Sequence, residues 1–261
     1  MSPADTIATA ILLPLVGAVF IVLCGRWPNV RESVTLLTAS ALAIVVWSLT
    51  PLIMAGDRPE LVVAQLFGGL SLAFKVEPLG MLFAALAATL WIVNSVYSIG
   101  YMRGNNEKNQ TRFYVCFAIA LSAALGVAFA GNLLTLFLSY EILTLSTFPL
   151  VAHKGDAATV RSARVYLGIS LGTSIALFLP AIIWTYTVAG TLDFEAGGII
   201  SGKLAGPAVG LLLALYVFGI GKAAMMPVHR WLPAAMVAPT PVSALLHAVA
   251  VVKAGVFTLT K

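Results

Sequence analysis

The chain has 261 residues, 60% of them hydrophobic, and a mean hydropathy of +1.00. Only 10% of its residues are charged, against roughly 25% in an ordinary soluble domain, which excludes a water-soluble globular enzyme and leaves an all-α polytopic membrane protein. The net charge of +5 would raise nucleic acid as a partner in a soluble chain; here the cations collect in loops on one side, and no nucleic acid is expected.

At ~20 apolar residues per crossing, four uncharged spans come first, at 6–24, 33–56, 78–102 and 113–131. The first is longer than a signal-peptide core and lacks a basic flank, so it reads as a mature helix. Between the second and third spans, LVVAQLF and LSLAFKV flank Gly68-Gly69, a pattern that predicts a short β-hairpin at the membrane surface at about 60–77. Gly131-Asn132 predicts a tight turn into the next span. Four spans with polar interruptions follow: 132–152 with Glu141, 165–192, 204–228 with Lys222, and 241–260 with His247 and Lys253. The expectation is about eight transmembrane helices and no separate soluble domain. Cys24 and Cys116 lie in apolar runs without CxxC or Cys/His spacing, so no disulfide, metal site or cofactor is expected.

Nine loop cations (Arg26, Arg31, Arg103, Lys108, Arg112, Lys154, Arg161, Arg164, Arg230) share one side, whereas Arg58, Lys75, Lys203 and Lys261 share the other. The positive-inside rule places the nine in the cytoplasm and the N-terminus outside. Lys222 and Lys253 remain as intramembrane cations, and Glu141, ~13 Å along its helix from Asn132, as the intramembrane acid. A charge at that depth costs roughly 2.5 to 3.5 kcal/mol on insertion scales and persists with a partner or in a wet cavity.

A static Glu141–lysine pair would need one cation, yet Lys222, His247 and Lys253 all face the same problem, which favours a proton relay. Pro227 removes a donor from the seventh span and crowds the preceding turn, predicting a broken helix near Lys222, as in ion-transporting folds. His247 and Lys253 project about 120° apart. Histidine titrates ordinarily near 6.5, which suits proton exchange, although a packed histidine donating to a carbonyl is an equally simple reading of His247. GGIISGK at 197–203 lacks the Ser/Thr and the preceding strand of a phosphate loop, and the Asn109 sequon falls on the predicted cytoplasmic side.

The stretch GKAAMMPVHRWLPAAMVAPTPVSALLHAVAVVKAGV resembles the signature of antiporter-like membrane subunits shared by Mrp-type cation/proton antiporters, respiratory complex I and membrane-bound hydrogenases; NLLTLFLSYEILTLSTFPLV resembles their acidic helix. The resemblance implies that Glu141 is the carboxylate paired with the broken-helix lysine Lys222. It implies that His247 and Lys253 belong to a central hydrophilic axis, and that Pro227, Trp231, Pro239 and Pro241 are structural. Family members look like chains of about fourteen helices with two inverted five-helix repeats. Residues 1–111 would hold three N-terminal helices and 112–261 the first repeat, with the second supplied by further sequence or a second polypeptide.

The function implied is proton translocation within a multi-subunit complex of the bacterial or archaeal cytoplasmic membrane. Pairing with Glu141 favours the Lys222 ammonium, and opening the pair favours proton release. Mrp-type exchange of protons for a cation such as Na+ fits best. The alternatives are a proton-pumping subunit of an NADH-quinone oxidoreductase or membrane hydrogenase, an inorganic-carbon uptake subunit, and a non-transporting structural subunit. Any electron carrier would lie in another subunit.

Overall fold

The computed structural model describes residues 2–195, 197–245 and 251–261. Helix α1 (Pro3–Leu23) opens with a capping box, in which the Ser2 hydroxyl accepts from Asp5 N and the Asp5 carboxylate accepts from Ser2 N. Helices α2 (Pro28–Trp47) and α3 (Thr50–Met54) follow, then strands β1 (Glu60–Gln65) and β2 (Ser71–Lys75), and α4 (Pro78–Gly104). Next come α5 (Gln110–Ala128), α6 (Leu133–Val151) and α7 (Ala157–Thr173), the last running through a π turn (Ser174–Phe178) into α8 (Leu179–Ala189). Helix α9 (Gly206–Gly219) leads to two 3-10 turns (Gly221–Ala223, Val228–Arg230), then α10 (Trp231–Ala235), α11 (Thr240–Leu245) and α12 (Val251–Thr260). Among the described residues, 6 helices are long and apolar enough to cross a membrane, and Gly206–Gly219 and Val251–Thr260 are shorter apolar helices.

Helix α5 is the hub, packed against α1, α4, α6 and α12. Its small residues Ala118, Ala120, Ala123, Ala124 and Ala128 are all buried, which lets neighbouring backbones come close in the absence of a hydrophobic drive between helices. The predicted hairpin forms, with Glu60 opposite Lys75, a bulge between Val62 and Ala64, and Gly68 and Gly69 at φ +67° and +79°, where a Cβ would be strained. It is fastened to the bundle rather than lying free. Lys75 N donates to Phe129 O (2.6 Å), Gly131 N to Ala73 O (2.8 Å) and Ala73 N to Thr135 Oγ1 (3.0 Å). The Gly131-Asn132 turn is as expected: the Asn132 carboxamide caps α6 at Thr135 N (2.8 Å) and donates to Ser71 O (2.8 Å).

The sixth span begins at Ala157 rather than 165, which carries Arg161 and Arg164, expected in a loop, into α7, and two further boundaries differ from those the sequence predicts. The second span begins at Pro28 rather than 33, which carries Arg31 and Glu32 into the packed interior. There Glu32 accepts from Arg31 (3.2 Å) and from Arg103 of α4 (Nε, 3.1 Å), while Arg31 also donates to Gln110 (2.8 Å) and Thr111 (3.2 Å) and lies over the Tyr114 ring. Removing the acid leaves Arg31 buried beside a second cation. Glu32→Ala is therefore expected to cost ~3 kcal/mol, read as a lower melting temperature of the detergent-purified complex.

The seventh span also breaks earlier than Pro227 alone predicts. Helix α9 stops at Gly219, before Lys222, at a point of close packing where a Cβ at Gly219 would collide with the Phe178 backbone and one at Gly221 with the Thr173 hydroxyl. The break coincides with a close approach to the π turn and precedes Pro227. Pro227 itself lies exposed in the connection that follows.

Candidate functional site: a buried lysine beside a buried carboxylate

Lys222 occupies the 3-10 turn after α9 and is 0% exposed. Tyr140 of α6 encloses it from three directions: its hydroxyl accepts from Lys222 N (3.0 Å), its carbonyl accepts from Nζ (2.6 Å), and its ring centroid lies 3.1 Å from Nζ. Thr144 Oγ1 is the other acceptor of Nζ among the described residues, at 2.5 Å. Each of these groups around the ammonium is uncharged.

The intervening α6 residue is Glu141. Both its carboxylate oxygens are buried, and neither has a hydrogen-bond partner among the described residues. Glu141 and Lys222 do not form an ion pair; the four ion pairs among the described residues lie elsewhere. The π turn brings the buried Ser174 hydroxyl toward the carboxylate, but that hydroxyl donates to Leu171 O at 3.0 Å. A π turn widens the helix by one residue per turn and is frequent at functional sites. The two charges expected to pair are thus neighbours in an open arrangement.

Backbone packing fixes the lysine turn. Trp231, fully buried at the start of α10, donates from Nε1 to Gly221 O (2.8 Å) and packs on Tyr166. A Cβ on Gly255 of α12 would collide with Lys222 C and Ala223 N, so α12 crosses directly on the lysine's backbone. Pro239 and Pro241 are buried at the start of α11, whose first amides bond Pro239 O. Lys253, by contrast, projects from the exposed side of α12 and does not join Lys222 and Glu141. His247 lies outside the described residues.

Three polar residues are misplaced by sequence pattern alone. Glu32 borders a basic loop and reads as a span end. Lys261 reads as a loop cation, yet its side chain is buried, 3.4 Å from Glu77, and donates to Ala130 O. His153 follows the last turn of α6 and reads as loop, yet it is 3% exposed.

A helical bundle built around one enclosed lysine at a broken helix defines a class of polytopic, charge-bearing membrane proteins, and comparison with known proteins narrows it. Residues 130–261 match the family profile described as NADH:quinone oxidoreductase/Mrp antiporter, TM, and the chain belongs to that family. It is 30% identical over 269 residues to a protein of Rhizobium meliloti (strain 1021) described as the A/B subunit of a probable K(+)/H(+) antiporter, covering 96% of this chain and 25% of that protein. To NADH-quinone oxidoreductase subunit L of Mycobacterium tuberculosis (strain CDC 1551 / Oshkosh) it is 28% identical over 270 residues, covering 96% and 41%. The chain thus spans well under half the length of these relatives.

The fold recurs in the archaeal membrane-bound sulfane sulfur reductase, with a TM-score of 0.84 and 21% identity over 97% of this chain and 52% of that one. It recurs also in the Mrp complex of Dietzia sp. DQ12-45-1b, with a TM-score of 0.82 and 24% identity over 99% and 28%.

Proposed function

We propose that the chain acts as a proton-translocating, antiporter-like subunit of a multi-subunit membrane complex, with Mrp-type exchange of a monovalent cation for protons as its setting. One observation carries the proposal: among the described residues a fully buried lysine is held by uncharged oxygens and a ring, beside a buried carboxylate that has no hydrogen-bond partner. A structural pair would be closed, because each ion taken from water costs several kcal/mol that only close contact offsets. An open pair is what a relay passes through. When the ammonium meets Glu141 the proton is retained, and when it retreats to Tyr140 O and Thr144 it is released.

Lys253, on the exposed side of α12, and His247 then carry the proton toward whatever packs against that side. The basic loops face the cytoplasm, with the N-terminus outside. The match to subunit L supports a second reading in which the same relay is driven by a redox partner; co-purifying subunits separate the two.

The test is Glu141→Gln in the native complex, reconstituted into vesicles with a pH-sensitive dye. Flux is expected to fall ~10²-fold, the scale of losing an essential acid or base, with the subunits still assembled. Full flux in an assembled Glu141→Gln complex would show that the chain is structural.

A further inference from the structure

Twelve residues past Glu141, beyond the opposite end of α6 from the hairpin, the His153 imidazole is buried with neither ring nitrogen hydrogen-bonded among the described residues. An orphaned buried polar group costs ~1–3 kcal/mol, and a packing histidine ordinarily avoids that cost by donating to a carbonyl. The groups facing it come from two segments. Glu107, in the α4–α5 connection, places Oε2 3.8 Å from Nε2, with the Lys108 backbone nearby; from α5, the Phe113 ring presents an edge at 5.7 Å, and Arg112 donates to His153 O at 2.9 Å.

Between His153 and Lys222 the buried face of α6 is a stripe of hydroxyls. Tyr140, Thr144 and Thr147 recur at helical spacing, all fully buried. Thr147 Oγ1 lies 2.6 Å from the Tyr166 hydroxyl, and Thr144 Oγ1 lies 2.5 Å from Lys222 Nζ. His153 lies six residues past Thr147, just beyond the end of α6 and about 9 Å on at helical rise, a separation that two or three waters would span.

We propose that His153 is the group through which protons enter this path from the face bearing the basic loops. It takes a proton at Nε2 opposite the Glu107 carboxylate and gives up the one on Nδ1 toward Thr147 and Tyr166. Lys222 receives the proton, and the imidazole is left neutral with its proton on Nε2, so a ring flip or a tautomer exchange restores Nδ1–H before the next transfer. The proposal rests on the Lys222–Glu141 reading above. Burial, aided by the Arg112 charge, holds His153 below the ordinary histidine range, with Glu107 and the Lys108 backbone pulling the other way. A neutral acceptor is therefore in place near neutral pH.

The experiment measures proton flux against the pH of the basic face, in the native complex, for the parent, His153→Gln, Glu107→Gln and Glu141→Gln. The parent's flux falls as that pH rises through the imidazole's titration. His153→Gln loses at least ~10-fold in flux together with this limb. Glu107→Gln moves the limb to lower pH, because the imidazolium has lost its counter-charge. Parent-like profiles in His153→Gln and Glu107→Gln, with Glu141→Gln inactive, overturn the role of His153 alone. An active Glu141→Gln overturns the relay beneath it. Should His153→Gln fail to assemble, the Glu107→Gln limb decides: shifted supports the proposal, and unshifted overturns it.

Discussion

Lys222→Met is expected to abolish proton flux while leaving the complex as stable as the parent or more so. The two side chains have similar length, and methionine fills the Tyr140 ring face with an apolar, polarisable body. What disappears is a cation enclosed by one carbonyl, one hydroxyl and one ring, whose desolvation is only partly offset by those contacts. The acceptors left behind keep partners, since Thr144 Oγ1 already donates to Tyr140 O at 3.0 Å. Among the described residues Lys222 belongs to no ion pair, so the ~3–5 kcal/mol cost of stripping one partner from a closed buried pair does not arise. Flux assays and melting curves on the same preparation check both halves. A marked fall in melting temperature would mean that the ammonium holds the fold together.

Gly255→Val is expected to inactivate without touching a charged group. Its Cβ collides with Lys222 C and Ala223 N, which are backbone and cannot swing aside as a flexible side-chain end does. Either α12 lifts off or the lysine turn shifts, at a cost of ~1–3 kcal/mol, and Lys222 loses its place over Tyr140. Gly172→Ala is the control: nothing lies within 4 Å of a Cβ there, so stability should stay within ~0.5 kcal/mol. Inactivity in Gly255→Val with an unaltered melting temperature would show that the contact positions the site without bearing on the fold.

Much of the architecture was legible because a bilayer demands long apolar runs and tolerates few charges within them. Glu141 and Lys222 stood out for that reason, and Gly68-Gly69 between two β-prone runs marked the hairpin. The boundaries that fall at tertiary contacts were not legible. Pro227 is a visible helix breaker, but the helix ends where Gly219 meets Phe178, and no local pattern records that encounter. Charge alone also misplaced residues at span ends: Glu32, Lys261 and His153 sit beside loop signals yet are folded inward, and Lys253, inside an apolar run, faces outward. Depth along a helix can be read from sequence, but the side a residue faces depends on its neighbours.

The fastening of the hairpin has a mechanical consequence. Ser71 and Ala73 of β2 are bonded to Asn132 and Thr135 in the first turn of α6, and the same helix, two turns on, supplies the carbonyl and the hydroxyl that hold the Lys222 ammonium. The hairpin and the lysine seat are therefore two points on one stiff rod. A push on the hairpin that tilts this rod by a few degrees moves Tyr140 and Thr144 against a turn that Trp231 and the Gly255 contact also hold. The part of the molecule best placed to feel a neighbour is thus wired, through a single helix, to the part that holds the charge.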